Sequence, residues 1–192
     1  MFGVRRFKKN VVNSPSRIVG EILVQRIGEE LYGHKPTTAK SYDELDDVGR
    51  KWEYKSCRVL LGETKKKNTL YDVFMDSCDL YSRLGKISDI KDGKTSVNIQ
   101  NVKSHTFDYL MYVLISDDGF EWYKISKEEL EEKVKSGEFP GWSSRHGSEE
   151  GERNCQFWIT PENIAWHERY RFNHLDWEEV ARISKRINVK KK

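Results

Sequence analysis

The stretch RKWEYKSCR, Arg50–Arg58, has the alternation of a β-strand. Successive side chains of an extended chain point to opposite faces, so Trp52 and Tyr54 share one side and Glu53 and Lys55 the other. The aromatic side suits a core. An acid and a lysine together on the second side form either a solvated surface pair, worth little energetically, or half of a catalytic centre. The flanking sequence bears on that choice.

Immediately upstream, Asp46, Asp47 and Gly49 are turn formers, so Tyr42–Leu45 and Lys51–Leu61 read as two strands of a hairpin. Before them, Ser14–Gly33 has Ser14 as N-cap, Pro15 at the first helical position, an apolar stripe through Val19, Ile22, Leu23, Ile27 and Leu31, and Gly33 as a stop. Glu21 sits beside that stripe. Downstream, Leu70–Leu84 has helical spacing. Ser96–Val102 alternates as a strand. Phe107–Ser116, apolar almost throughout, reads as a central strand, with Asp108 expected to hydrogen-bond backbone amides. After the turn Asp117-Asp118-Gly119, Phe120–Ile125 is its hairpin partner. Ser126 and Glu129 then open a short charged helix with a capping box.

From Phe139 the texture changes. GWSSRHGSEEGERNCQF suits a long surface loop or a hairpin with a wide tip, followed by short helices around Pro161–Glu168 and Asp176–Ile187. The expected fold is α/β in the α+β sense: a mixed central β-sheet flanked by helices. Residues 1–192 form one domain, with a core over 14–135 and an irregular addition over 136–192.

The totals agree with a folded chain. At 192 residues it is long enough for a real core, and six Trp, nine Tyr and eight Phe argue against disorder. The formal net charge of +3 is too balanced to demand a polyanion partner. Local basic clusters at Arg5, Arg6, Lys8 and Lys9, at Lys65–Lys67 and at Lys190–Lys192 suit phosphates as well as solvent. Cys57, Cys78 and Cys155 are widely spaced, which favours reduced thiols over a zinc site. MFGVRRFKKN lacks the apolar region of a signal peptide, and no run is long enough to span a membrane. A soluble cytoplasmic protein is expected.

Asp43 stands ten residues before Glu53, and closure of the hairpin brings it alongside Glu53 and Lys55. Two converging carboxylates make a hard oxygen site suited to Mg²⁺, which takes few protein ligands and keeps several waters. A neighbouring lysine positions or helps to deprotonate a water, while the metal stabilises charge on a phosphate. Asp46 and Asp47 are nearby alternatives to Asp43.

The pattern Asp43-x9-Glu53-x-Lys55, after a helix bearing Glu21, resembles the PD-(D/E)XK nuclease superfamily, and YDELDDVGRKWEYKSCR is similar to its restriction-endonuclease-like members. FDYLMYVLISDDGFEWYKISKEEL resembles the central strand, hairpin and helix of that family, so the likeness spans roughly Ser14 to Lys135. Tyr42 stands where the family's motif has a proline. The resemblance implies a restriction-endonuclease-like sheet, Mg²⁺ on Asp43 and Glu53, Lys55 serving the nucleophilic water and Glu21 as an auxiliary acid. It also implies double-stranded DNA as substrate, a homodimer that cuts both strands, and a prokaryotic or phage setting. Arg58, Asn98 and Gln100 are expected to contact DNA, as are Arg145, His146 and Arg153, whose donors suit bases or phosphates. No phosphate-binding glycine loop is present, so no nucleotide cofactor is expected. A type II restriction endonuclease is the leading expectation. A structure-selective nuclease and a non-catalytic DNA-binding domain are the rivals.

Overall fold

A computed structural model describes residues 2–13, 22–37, 43–61, 84–103, 106–146 and 153–189. The expected helix at Leu70–Leu84 lies outside these apart from Leu84, as do Glu21 and the first half of the helix Ser14–Gly33. The described elements run α1 (Phe2–Asn13), α2 (Gln25–Tyr32), β1 (Lys35–Pro36), β2 (Glu44–Leu45), β3 (Lys51–Arg58), α3 (Ile87–Lys91), β4 (Val97–Lys103), β5 (Tyr109–Ile115) and β6 (Gly119–Ser126). There follow α4 (Lys127–Lys135), β7 (Trp142–His146), β8 (Arg153–Ile159), α5 (Ile164–Glu168), β9 (Arg171–Asp176) and α6 (Trp177–Val189).

The fold is α+β. Six strands in the order β1-β2-β3-β5-β6-β9 make one sheet, and β4-β8-β7 make a second. Among the described strands only β3 and β5 pair in parallel, with Trp52 opposite Tyr109 and Arg58 opposite Ile115. β5 is apolar because both its faces are covered. Met111, Val113 and Ile115 enter one core with Trp52, Tyr54, α1, α2 and α6; Leu110, Tyr112 and Leu114 enter another with Ile99, Phe157 and Leu130. That second core lies between the two sheets and takes in α4 and α5. β3 therefore stands with its aromatic face toward helices and its Glu53–Lys55 face toward the smaller sheet.

The β5–β6 hairpin closes as expected. Ser116 N–H donates to Gly119 C=O at 2.8 Å, and Gly119 has φ 146°. Ser126 Oγ accepts from Glu129 N–H at 3.2 Å and caps α4, but the Glu129 carboxylate accepts from Tyr170 Oη at 2.8 Å.

The differences lie mostly in long-range pairing. Ser96–Val102 became β4, yet it left the main sheet for β8, with a register shift between Ile99 and Val102 where Asn101 has φ 57°. The region expected to be an irregular addition is regular where described: β7 and β8 pair antiparallel, and β9 pairs with β6 as the edge of the main sheet. Its helix α6 places Trp177, Val180 and Ile183 in the first core. The segment read only as a basic cluster is helix α1, stabilised by burial of Val11 and Val12.

Candidate catalytic site

The β2–β3 turn sets the site's register. Asp46 accepts from Val48 N–H at 3.1 Å, Arg50 N–H at 2.9 Å, Arg50 Nε at 2.6 Å and Trp52 Nε1 at 3.2 Å. Burial alone would raise its carboxyl; the hydrogen bonds from Arg50, with those from Trp52 and Val48, outweigh burial and hold it at about 2. Gly49, at φ 82°, completes the turn. The strands then pair Leu45 with Lys51 and Glu44 with Trp52.

One step further along that ladder Asp43 falls opposite Glu53. Asp43 N–H donates to Trp52 C=O at 2.9 Å, and Asp43 Oδ2 accepts from Tyr54 N–H at 2.7 Å. Residues directly opposite in an antiparallel pair share a face, with Cβ atoms about 4.5–5.5 Å apart. Asp43, Glu53 and Lys55 therefore share a face. Asp46 has the parity of Glu44 and is consumed by the turn, and Asp47 is exposed at its tip. Of the three aspartates, Asp43 has the geometry of a partner for Glu53.

Glu53 is 2% exposed and its Oε1 lies 2.5 Å from Lys55 Nζ, whose side chain is 20% exposed. A carboxylate so buried is costly unless compensated. Lys55 provides that compensation while its ammonium end keeps access to solvent. Asp43 uses Oδ2 to hold β3, leaving Oδ1 outside that bond. This donor set, two hard carboxylates with a cation beside them, fits an ion such as Mg²⁺ that completes its shell with water. It does not fit a metal needing a full protein cage: among the described residues no cluster of three or more His, Cys, Asp or Glu side chains is placed to hold an ion.

Behind the site is a buried polar cluster that the sequence did not reveal. Tyr54 Oη lies 2.6 Å from His34 Nδ1, and His34 Nδ1 lies 3.5 Å from Glu44 Oε2. Glu44 is 1% exposed. Burial raises its carboxyl, with Glu29 adding to the rise and His34 and Tyr54 opposing it. Burial likewise pushes the Tyr54 hydroxyl far above the ordinary phenol range. Two adjacent residues at the start of β2 thus serve opposite faces: Asp43, just before the strand, shares the face of Glu53, and Glu44 faces His34 and Tyr54. The signal available in advance was the parity of Glu44 with Trp52, and its reading depended on the pairing register.

The residues expected to meet DNA fall in two places. Arg58, Asn98 and Gln100 line an open cleft between β3 and β4, with Ser56 and Asn101. It begins one residue beyond Lys55. The Arg58 guanidinium donates to Val12 C=O at the end of α1, and burial lowers its pKa. Asn98 Nδ2 is 3.5 Å from Gln156 Oε1. Arg145, His146 and Arg153 lie on either side of the β7–β8 tip, with His146 opposite Arg153 and Arg145 opposite Asn154. Asp108 holds the start of β3, its Oδ2 accepting from Lys51 N–H at 2.7 Å.

No family model and no curated protein matches the chain. Among the described residues no helix is long and apolar enough to cross a membrane.

Proposed function

We propose that this protein is a Mg²⁺-dependent DNA endonuclease of the site-specific, type II restriction kind. The observation that carries the proposal is the β2–β3 register, which sets Asp43 opposite Glu53 on the face where Lys55 is ion-paired. Asp43 and Glu53 would hold the metal. A bound Mg²⁺ supplies positive charge to the scissile phosphate and acidifies water.

The remaining work falls to the chain's own groups. Tyr54 N–H fixes the Asp43 carboxylate through Oδ2, so that Oδ1 would meet a bound ion in one orientation. Glu53 holds Lys55 Nζ beside the metal position. From there the lysine orients a water for in-line attack on phosphorus and balances charge that gathers on the phosphoryl oxygens. The amide-rich cleft beginning beside Lys55 supports sequence reading, since Asn and Gln side chains pair with adenine edges in the major groove. Cutting both strands calls for two copies of the site, hence a two-fold homodimer.

The test is digestion of plasmid and phage DNA of known sequence with Mg²⁺ or with EDTA, using wild type, Lys55→Ala and Asp43→Asn. Discrete fragments that need Mg²⁺ and vanish in both variants are the expected result. Cutting that follows nicks or branches would favour a structure-selective nuclease instead. Binding without cutting, identical in all three proteins, would leave a DNA-binding domain. Melting provides a second readout: Mg²⁺ should raise the wild-type Tm and leave that of Asp43→Asn unmoved.

A further inference from the structure

Helix α1 carries Arg5, Arg6, Lys8 and Lys9 and no acidic residue, and these cations divide into two sets. Lys8 turns inward: its Nζ meets the Asp117 carboxylate at 2.7 Å and lies 5.2 Å from the Trp177 ring centre. Val11 and Val12 are buried, and Val4 and Phe7 pack on the same core. Arg5, Arg6 and Lys9 are exposed, and none has an acidic partner among the described residues. Lys9 is three and four residues beyond the two arginines, so all three share one face, spread over about 6 Å of helix axis.

The helix is fixed to the candidate site's strand. Arg58 of β3 donates to Val12 C=O, placing a cation where the helix dipole favours one. The same Arg58 lines the cleft beside Lys55. A basic face therefore stands on a helix whose last turn is anchored to the cleft wall.

We infer that the Arg5–Arg6–Lys9 face of α1 docks the phosphodiester backbone of a nucleic-acid duplex. The choice of a duplex rests on the nuclease reading; the charge geometry stands on its own. A duplex carries one negative charge per about 1.7 Å of axis, so cations spread over about 6 Å can meet up to three phosphates. Such contacts set position along the duplex and read no sequence. An anionic membrane is the other extended polyanion, but a surface helix binds it by inserting an apolar face, and the apolar face of α1 is occupied by the protein core.

The test is metal-free binding of a fluorescent 20-base-pair duplex in EDTA, measured by anisotropy against salt. It compares wild type, Arg5→Gln/Arg6→Gln/Lys9→Gln, and Lys127→Gln/Lys133→Gln/Lys135→Gln, which removes the same charge from α4 on the other core. Three contacts contribute a slope of about −2.7 in log K against log salt. Between 50 and 200 mM salt the wild type should then lose about 40-fold more affinity than the α1 variant, while the α4 variant behaves as wild type. An unchanged slope in the α1 variant, an equal change in the α4 variant, or absence of duplex binding by wild type would overturn the inference. So would loss of binding to phosphatidylserine vesicles in place of DNA. Wild type that cuts DNA while the slopes coincide refutes this inference alone; wild type that binds through α1 and never cuts refutes the nuclease reading alone.

Discussion

Replacing Gly28 with alanine probes the packing that supports the candidate site from behind. Inside a helix such as α2, alanine is normally preferred to glycine by about 1 kcal/mol. Here a Cβ would lie 2.4 Å from Tyr54 Oη and 2.8 Å from its Cε1 and Cζ. Tyr54 is 3% exposed, with its hydroxyl bound to His34 Nδ1 at 2.6 Å. Restoring contact to about 3.5 Å moves the ring by about 1 Å and breaks that bond. Overpacking costs about 1–3 kcal/mol, and buried polar atoms left without a partner cost about 1–3 kcal/mol more. After the helical gain the net loss is about 3 kcal/mol, a fall in Tm of about 6–12 °C for a chain of this size. Calorimetry and guanidinium unfolding of the two proteins measure it. Tyr54→Phe in the Gly28→Ala background removes the nearest atom, so the double variant should lose less stability than the two single losses combined. A Gly28→Ala protein as stable as wild type, or strict additivity, would refute this account.

Asp46→Ala should cost about 2–3 kcal/mol at neutral pH, since several hydrogen bonds to one carboxylate are lost. Because folding holds that carboxyl at about 2, its contribution is present above about pH 4 and disappears as pH falls from 4 to 2, so urea midpoints of the two proteins should converge there. His167 is fully buried and burial lowers it to about 3. Between pH 6.5 and 3 the unfolded chain takes up a proton that the folded chain refuses, so stability falls with acidification by up to about 1.4 kcal/mol per pH unit; His167→Phe should flatten that slope. Gly119→Ala places a Cβ 2.1 Å from Leu175 C=O at φ 146°, and should destabilise by more than about 2 kcal/mol while raising hydrogen exchange across β6 and β9.

What could be read in advance was local. The turn chemistry of Asp46 to Gly49 and the alternation of Trp52 to Lys55 fixed a register that placed Asp43 beside Glu53. The doubly covered β5 was legible because both faces demand apolar residues. β9 was not: RFNHLD has one fully buried residue, Leu175, and its strand state comes from the partner β6. Nor was the smaller sheet, since β4 meets β8 through pairs such as Ile99–Phe157, and nothing in either segment alone names the other. The Glu44–His34–Tyr54 cluster was hidden for a related reason. Polar residues in a core are recognised only once burial is known.

The pairing of β6 with β9, and of α1 with α6, also sets an order of events during synthesis. The apolar face of α1 finds its full cover only when Trp177 and the residues after it have been made. At about 5–20 residues per second, that is a wait of about 10–30 s after the first helix emerges. Through that interval Val4, Phe7, Val11 and Val12 lack α6, and the outer edge of β6 lacks β9. The nascent chain thus exposes a sticky helix and an open strand edge until residues 171–189 have been made.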